Sequence, residues 1–229
     1  MGSIEEDDPF CRSLARATKT IVLSIGYGLA PFSPFPDTID ASMDILDLAG
    51  KFSSRPISFM GVGAGANLAM ALALKAHADG SGDRVAGVVA LSPLVMHPNA
   101  IPADEKAIWT SLDANDGKSI NSKSAILSWL AAYAAPATDP LMSVMLHDKL
   151  HELKRVYIQG YTADTLYDDA RFLAEALHEL GVMVEKDFFE GYPHLAYMYP
   201  SKHLDAHRED FKNKVFDGVK LVAFGVIDS

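Results

Sequence analysis

Short apolar runs alternate along the chain with longer segments in which apolar residues recur at helical spacing. The short runs are rich in Val, Ile and Phe and predict buried strands over residues 20–27, 55–61, 84–95, 155–161 and 182–191. The longer segments predict helices over 8–18, 37–49, 64–78, 125–134 and 168–181, and a last helix from about residue 202. This alternation is typical of an α/β fold with a mostly parallel sheet and helices on both faces. We expect a single domain over residues 1–229.

Local signals mark two helix boundaries and one irregular region. Asp37 follows a proline-rich loop and is expected to cap the second helix, and Gly181 is expected to end the fifth. Between about residues 96 and 150 the pattern loosens into polar loops with one helix. An insertion of this kind is typical of a lid that shapes a binding site.

Composition narrows the classes of function. The 229 residues carry a formal net charge of −10, which argues against a nucleic-acid surface, since phosphate binding needs clustered Lys and Arg. No apolar run approaches the roughly 20 residues needed to span a bilayer, and the acidic N-terminus lacks the apolar core of a signal peptide. Cys11 is the only cysteine, so no internal disulfide can form. We therefore expect a cytoplasmic protein, either a monomer or a homodimer, that binds a small molecule.

The stretch "ISFMGVGAGANLAMALALK", residues 57–75, is a strand, a glycine-rich turn and a helix, and two kinds of site use this layout. Gly61, Gly63 and Ala66 fit the G-x-G-x-x-A phosphate cradle of a dinucleotide-binding fold. Gly61, Gly63 and Gly65 also fit the G-x-S-x-G nucleophile elbow of an α/β-hydrolase, with Gly63 at the serine position. The cradle also requires an acidic residue at the end of the next strand, which here ends in Leu91-Ser92-Pro93. The elbow is the favoured interpretation.

Several further motifs occur in the order of one known family. "SIGYGLAPFSPFPDTIDA" resembles Y-R-L-A-P-E-x-P-F-P, and "GVGAGANLA" resembles G-D-S-A-G-G-N-L-A. Residues 156–196 resemble the family's final stretch, G-x-x-D-x-L-x-D-D and then G-x-x-H, with one more residue between the first glycine and Asp164. The chain thus resembles the hormone-sensitive-lipase-like carboxylesterase branch of the α/β-hydrolases from about residue 8 to 200. The resemblance implies that Asp164 is the triad acid, His194 the triad histidine and Gly63 the nucleophile position.

The sequence departs from this family in three ways. Gly63 has no side chain, so no acyl-enzyme can form on it. The H-G-G-G segment that supplies oxyanion-hole amides in the family should precede the first helix, where the sequence begins "MGSIEEDDPF". This predicts either a natural short form or a trimmed domain, with a sheet edge that a homodimer could cover. Finally, the arginine of Y-R-L-A-P is replaced by Gly28.

These departures leave three hypotheses for the function. The first is a non-hydrolytic lyase, dehydratase or cyclase of secondary metabolism, acting on a hydrophobic oxygenated small molecule with His194 as general base and Asp164 as its orienting partner. In this hypothesis Gly63 and Ala64 supply space and backbone contacts. The second is a ligand-binding homologue without activity, and the third is a carboxylesterase inactivated at the serine.

Several aromatic residues and histidine pairs are further candidates for binding roles. Tyr27, Phe32 and Trp109 are expected to line the pocket, although core packing is the commoner role of aromatic residues. The pairs His147/His151 and His203/His207 have a spacing that can bind a metal, but neither has an obvious third ligand and both lie among charged residues. We expect neither a metal nor a cofactor.

Overall fold

A four-stranded parallel sheet forms the centre of the protein, seen in a computed structural model that describes residues 4–198, 202 and 204–226. The strands are β1 (Ile57–Val62), β2 (Val85–Leu91), β3 (Arg155–Tyr161) and β4 (Met183–Phe189), and they lie side by side in that order. The helices are α1 (Ile4–Thr18), α2 (Asp37–Gly50), α3 (Ala64–Ala78), α4 (Ser111–Ala114), α5 (Lys123–Tyr133), α6 (Tyr167–Glu179) and α7 (Asp205–Phe224). Short 3₁₀ turns occur at Gly82–Arg84, Val144–Leu146 and Leu150–Glu152.

Alternate residues of the central strands belong to two separate cores. Val88 and Ala90 of β2 pack with α2, α3 and α6, whereas Val89 and Leu91 pack with α1 and α7. Successive side chains of a strand point to opposite faces, so both faces of the sheet are covered by helices. Every residue of β2 is buried, which explains why its sequence is a continuous apolar run. The predicted α/β architecture is confirmed.

The parallel arrangement also fixes where a site can form. The C-terminal ends of β1, β2, β3 and β4 lie at one edge of the sheet because each adjacent pair is parallel. Loops that leave these ends carry the ligand sites of open α/β sheets. Gly63 follows β1, Asp164 follows β3, and His194 follows β4, so all three lie at this edge.

The strand predicted over residues 20–27 does not form. This segment makes no ladder with β1 or with any other element of the described chain, and Ile21 is 68% exposed. Its β-branched residues favour an extended backbone, yet a strand also needs a neighbour that accepts and donates hydrogen bonds. Val22 and Tyr27 instead pack against opposite cores.

The start of α2 also differs from the prediction. Pro36 occupies the N-cap position, Asp37 is the first helical residue, and no side chain caps the helix. The Asp37 carboxylate still lies in the first turn, where the helix dipole favours negative charge. At the other boundary, Gly181 adopts φ +78° just beyond α6, as a helix-ending glycine does.

Residues 96–150 contain α4, α5 and the 3₁₀ turn Val144–Leu146, and we call them the cap segment. A small third core joins this segment to the body, with Ile126 and Leu130 of α5 packed against Met142 and Leu166. Across the described residues, no helix combines the length and the apolar character needed to cross a bilayer.

Candidate active site

The turn between β1 and α3 has the backbone geometry of a sharp elbow. Gly63 adopts φ +54° and ψ −115°, a conformation that residues with a Cβ rarely adopt. A Cβ on Gly61 would lie 2.0 Å from the carbonyl oxygen of Gly65, so the strand end and the helix start touch at this point. The elbow therefore requires glycine at position 61 for close approach and favours it at 63 for conformation.

Backbone hydrogen bonds fix this elbow to the neighbouring strand. The Gly63 N–H donates to the Leu91 carbonyl at the end of β2 at 2.9 Å, and the Leu94 N–H donates to the Gly63 carbonyl at 3.3 Å. Asn67 of α3 also donates through its side chain to the carbonyls of Leu94 and Met142. Both the elbow and the loop after β2 are thereby fixed in position.

Asp164 and His194 form a buried hydrogen-bonded pair beside the elbow. His194 Nδ1 lies 2.7 Å from Asp164 Oδ2, although the two residues are on different loops. Asp164 is fully buried, and His194 is 7% exposed. A pair this short and this shielded from water holds the imidazole in one orientation.

The surroundings of Asp164 keep its carboxyl group ionised. Burial alone raises the pKa of Asp164, but the hydrogen bond and charge of His194 oppose it, helped by the Asn121 side chain and the Leu166 N–H. The balance is a pKa below the usual range. An ionised Asp164 can only accept, so His194 Nδ1 donates to it, and in the neutral imidazole Nε2 is left as the free acceptor.

His194 faces the space above Gly63. A Cβ built on Gly63 would lie 3.5 Å from both Nε2 and Cε1 of His194. A hydroxyl carried by such a Cβ would reach Nε2, which is the arrangement of a nucleophile and its base. Because Gly63 has no side chain, Nε2 faces open space instead, where a substrate atom or water can stand.

The start of α3 offers hydrogen-bond donors at the same place. Ala64 is the first residue of the helix, and the first N–H groups of a helix have no carbonyl partner within it. The positive end of the helix dipole also favours developing negative charge. The first turn of α3, which starts at Ala64, therefore begins at the glycine that His194 faces.

Gly63, Ala64 and His194 line an open, mainly apolar cavity of about 1590 Å³. The cavity extends from His194 along β1 and α1. Of the residues predicted to bind substrate, Tyr27, Gly63 and Ala64 line it. The structure does not bring Phe32 or Trp109 to the cavity. Phe32 is 95% exposed on the loop before α2, and Trp109 stacks on Phe172 with ring centroids 4.8 Å apart.

Two tyrosines supply polar groups to the apolar wall. The hydroxyl of Tyr27 lies 3.8 Å from the position of a Cβ on Gly65, and Tyr133 of α5 also lines the cavity. Burial raises the pKa of Tyr133 to about 12, with smaller contributions from Tyr27 and Asp139. Burial, followed by the charge of Asp7, also raises the pKa of Tyr27. Both phenols stay protonated near neutral pH and can donate hydrogen bonds.

No metal-binding cluster of three or more side chains occurs within the described residues. His147 and His151 do not share a helix, because His147 follows one 3₁₀ turn and His151 lies in the next. The His147 side chain is buried, and its Nδ1 accepts a hydrogen bond from the Lys149 N–H. The second pair includes His203, which lies outside the described residues.

Residues 1–198 match the α/β-hydrolase fold family. The chain belongs to this family. The glycine-rich turn is accordingly a hydrolase elbow, and its interpretation as a dinucleotide cradle is wrong. The α/β-hydrolase fold that the sequence-based resemblance implies is confirmed by this match and by the similar fold of an esterase from the bacterial hormone-sensitive lipase family. That structure has a TM-score of 0.81 and 24% identity, and covers 96% of this chain and 72% of the esterase.

Similar proteins include enzymes of fungi. A versiconal hemiacetal acetate esterase of Emericella nidulans is 40% identical over 96% of this chain and 78% of its own length. An FAD-linked oxidoreductase of Aspergillus terreus is also 40% identical over 96% of this chain, but the match covers only 27% of that protein. The crystal structure of a vibralactone cyclase superposes with a TM-score of 0.87 at 22% identity, covering 96% of this chain and 67% of the cyclase.

The sequence predicts Asp164 and His194 but not Asn121, which contacts the carboxylate oxygen of Asp164 that His194 does not. Asn121 donates to Asp164 Oδ1 at 2.8 Å from the cap segment. An asparagine in a polar loop has no distinctive pattern, so only its position in space reveals the contact.

Proposed function

We propose that the protein is a non-hydrolytic enzyme that moves protons on a hydrophobic, oxygenated small molecule, as a lyase, dehydratase or cyclase. The supporting observation is the buried pair of Asp164 and His194 facing a glycine where a nucleophile would stand. A base without a covalent nucleophile can abstract and return a proton, and it cannot form an acyl-enzyme.

The residues have separate roles in this proposal. Asp164 fixes the tautomer and orientation of His194, and His194 Nε2 is the general base. The Ala64 N–H and the phenols of Tyr27 and Tyr133 donate hydrogen bonds to substrate oxygens. Gly63 leaves room for the substrate skeleton next to Nε2. The apolar cavity wall matches a largely hydrocarbon substrate.

Two reactions fit this arrangement. In a dehydration, Nε2 removes a proton from a carbon next to a carbonyl, the electron pair forms a double bond, and the neighbouring hydroxide leaves and takes the proton back as water. In a cyclisation, Nε2 removes a proton from a substrate hydroxyl or carbon, which then attacks an electrophilic carbon of the same molecule, and the proton is returned. The first loses one water, and the second leaves the mass unchanged.

Similar proteins support the substrate class. One relative is named for a hemiacetal acetate and one structural neighbour for a lactone-forming reaction, so oxygenated natural products are the first compounds to examine. Because Gly63 removes the acyl-enzyme route, an esterase activity like that named for the relative is not proposed for this chain.

The experiment is incubation of the purified protein with a panel of hydroxylated and carbonyl-bearing polyketides, followed by mass spectrometry and chromatography. We expect loss of water or conversion to an isomer of equal mass. The product should disappear with His194→Ala, whereas Phe32→Ala, an exposed aromatic outside the cavity, serves as the matched control and should leave turnover intact. Turnover that His194→Ala leaves unchanged contradicts the proposal. Tight binding with no product would instead indicate a ligand-binding homologue.

A further inference from the structure

A buried amide stands behind the acid of the pair. Asn121 belongs to the cap segment, is only 3% exposed and lies in the wall of the cavity. Its Nδ2 donates to Asp164 Oδ1 at 2.8 Å. The orientation of this amide is fixed by chemistry, because an ionised carboxylate accepts hydrogen bonds and cannot donate one. The nitrogen must therefore face Asp164.

The other half of the same amide is unsatisfied. Asn121 Oδ1 is shut off from solvent and has no hydrogen-bond partner in the part of the chain that the structure describes. A buried acceptor without a partner lowers stability, so packing alone would favour an apolar side chain here. The hydrogen bond from Asn121 Nδ2 to Asp164 offsets part of this cost.

That contact completes the restraint of the carboxylate. Asp164 Oδ1 accepts from Asn121 Nδ2 and from the Leu166 N–H at 3.0 Å, while Oδ2 is left for His194. A carboxylate held by His194 and one backbone N–H alone could still tilt about its Cβ–Cγ bond. The amide of Asn121, approaching from the cap segment, opposes this rotation.

Asn121 is itself held in place from two sides. Its carbonyl accepts a hydrogen bond from the Thr165 hydroxyl at 2.8 Å, one residue beyond Asp164. On the other side, Ser122 is the N-cap of α5, and its hydroxyl accepts from the Ala125 N–H. The residue therefore joins the loop that carries the acid to the helix whose residues Ile126 and Leu130 line the cavity.

We infer that Asn121 is a positioning residue that locks Asp164 in the orientation in which it holds His194, and that it links this pair to the cap segment. The inference rests on the proposed function, because a positioned base has a purpose only in a site that moves protons. It assigns to the cap segment a part in the acid–base machinery as well as in the shape of the cavity.

The chain offers a matched control in Asn115. This residue is also an asparagine of the cap segment and is 6% exposed, but its Nδ2 donates to the backbone carbonyls of Thr162 and Asp164, not to the carboxylate. Replacing either asparagine removes a buried hydrogen bond. Only replacing Asn121 removes a donor from the carboxylate.

The experiment is proton NMR of the far-downfield region, where an imidazole N–H that donates to a buried carboxylate is visible when it is protected from exchange. The His194 Nδ1–H signal is assigned by its loss in His194→Gln. We expect it in the unmodified chain and in Asn115→Leu, and we expect its loss in Asn121→Leu through faster exchange with water. Thermal unfolding of each variant is measured alongside.

A second variant guards against a failure of Asn121→Leu to fold. Asn121→Asp keeps the shape of the side chain but can donate to Asp164 only when protonated. We expect its signal to be lost when the carboxyl at position 121 ionises and to return at lower pH, with the fold retained throughout. A signal that survives in a folded Asn121→Leu, or in ionised Asn121→Asp, overturns the inference, as does its absence from the unmodified chain. No substrate is needed, so a chain that shows these effects but converts no compound contradicts only the proposed function.

Discussion

The position of a Cβ on Gly63 lies 3.5 Å from His194 Nε2, so the base points at the place where a nucleophile would stand. The acid, the base and the elbow are therefore arranged as in the catalytic triad of a hydrolase, with no side chain at the nucleophile position. A serine side chain introduced at position 63 tests this geometry.

Gly63→Ser should restore a reactive nucleophile. The new Oγ would come within hydrogen-bond reach of His194 Nε2 and should form a covalent adduct with a fluorophosphonate probe, detected by intact mass. Serine at φ +54° is strained, so we expect a stability loss of about 1–3 kcal/mol in thermal or denaturant unfolding.

The controls for this variant separate geometry from reactivity. Gly63→Ala carries the same strain without the hydroxyl, and Gly63→Ser combined with His194→Ala carries the hydroxyl without the base. Neither should be labelled. A folded Gly63→Ser that takes up no probe would show that the base does not activate this position.

Gly61 and Gly65 should differ sharply in their tolerance of alanine. A Cβ on Gly61 would overlap the Gly65 backbone at 2.0 Å, whereas a Cβ on Gly65 has the Tyr27 hydroxyl, at 3.8 Å, as its nearest neighbour. We expect Gly61→Ala to cost about 3 kcal/mol of unfolding free energy or to prevent folding. Gly65→Ala should be neutral or slightly stabilising, because alanine favours a helix more than glycine does. Chemical denaturation of both variants makes the comparison, and equal losses would contradict the close approach at Gly61.

The sequence predicts most of the fold because most of its elements are buried on both sides or amphipathic. Residues 64–78 form a helix with the predicted bounds, because alanine and leucine strongly favour a helix. The segment 20–27 shows the limit, because its composition favours an extended backbone but cannot supply a hydrogen-bonding neighbour.

The sequence predicts some residues of the site and not others. The sequence predicts Asp164 and His194 because the order of the motifs places them after successive parallel strands, whose C-terminal ends lie at one edge of the sheet. Phe32 and Trp109 carry no such constraint, and an aromatic side chain in a loop has no pattern that says which way it faces. Whether Tyr27 binds substrate stays a prediction, although it lies in the cavity wall.

Removing the charge of the acid should abolish turnover while leaving the fold intact. In Asp164→Asn, the amide can donate to His194 Nδ1 and so favour the tautomer that protonates Nε2, which cannot act as a base. For any substrate found with the unmodified chain, we expect the rate to fall by about 10³- to 10⁴-fold. The rate is measured under saturating conditions, with circular dichroism to verify folding. A loss of less than tenfold would contradict the role of Asp164 as orienting acid.

Asp169 should make the protein less stable as the pH rises. It lies in the first turn of α6 and is 7% exposed, and burial raises its pKa to about 8 even though the N–H groups of Val95 and Met96 donate to it. The ordinary value is 3.8, so between about pH 4 and pH 8 the folded state binds a proton that the unfolded state has lost. The neutral carboxyl therefore contributes its full stabilisation below about pH 4. As the pH rises from about 4 to about 8, the free energy of unfolding falls by up to about 1.4 kcal/mol per pH unit.

Asp169→Asn tests this dependence because it cannot ionise yet keeps an oxygen that accepts from the same two N–H groups. We expect the unmodified chain to lose unfolding free energy between pH 5 and pH 8, and the variant to lose distinctly less over the same range. Asp164 does not confuse the comparison, because its lowered pKa makes its contribution change only on the acid side, as the pH falls below about 4. Urea denaturation at each pH measures both proteins. Parallel curves would mean that Asp169 is ionised throughout and that its two backbone donors outweigh the effect of burial.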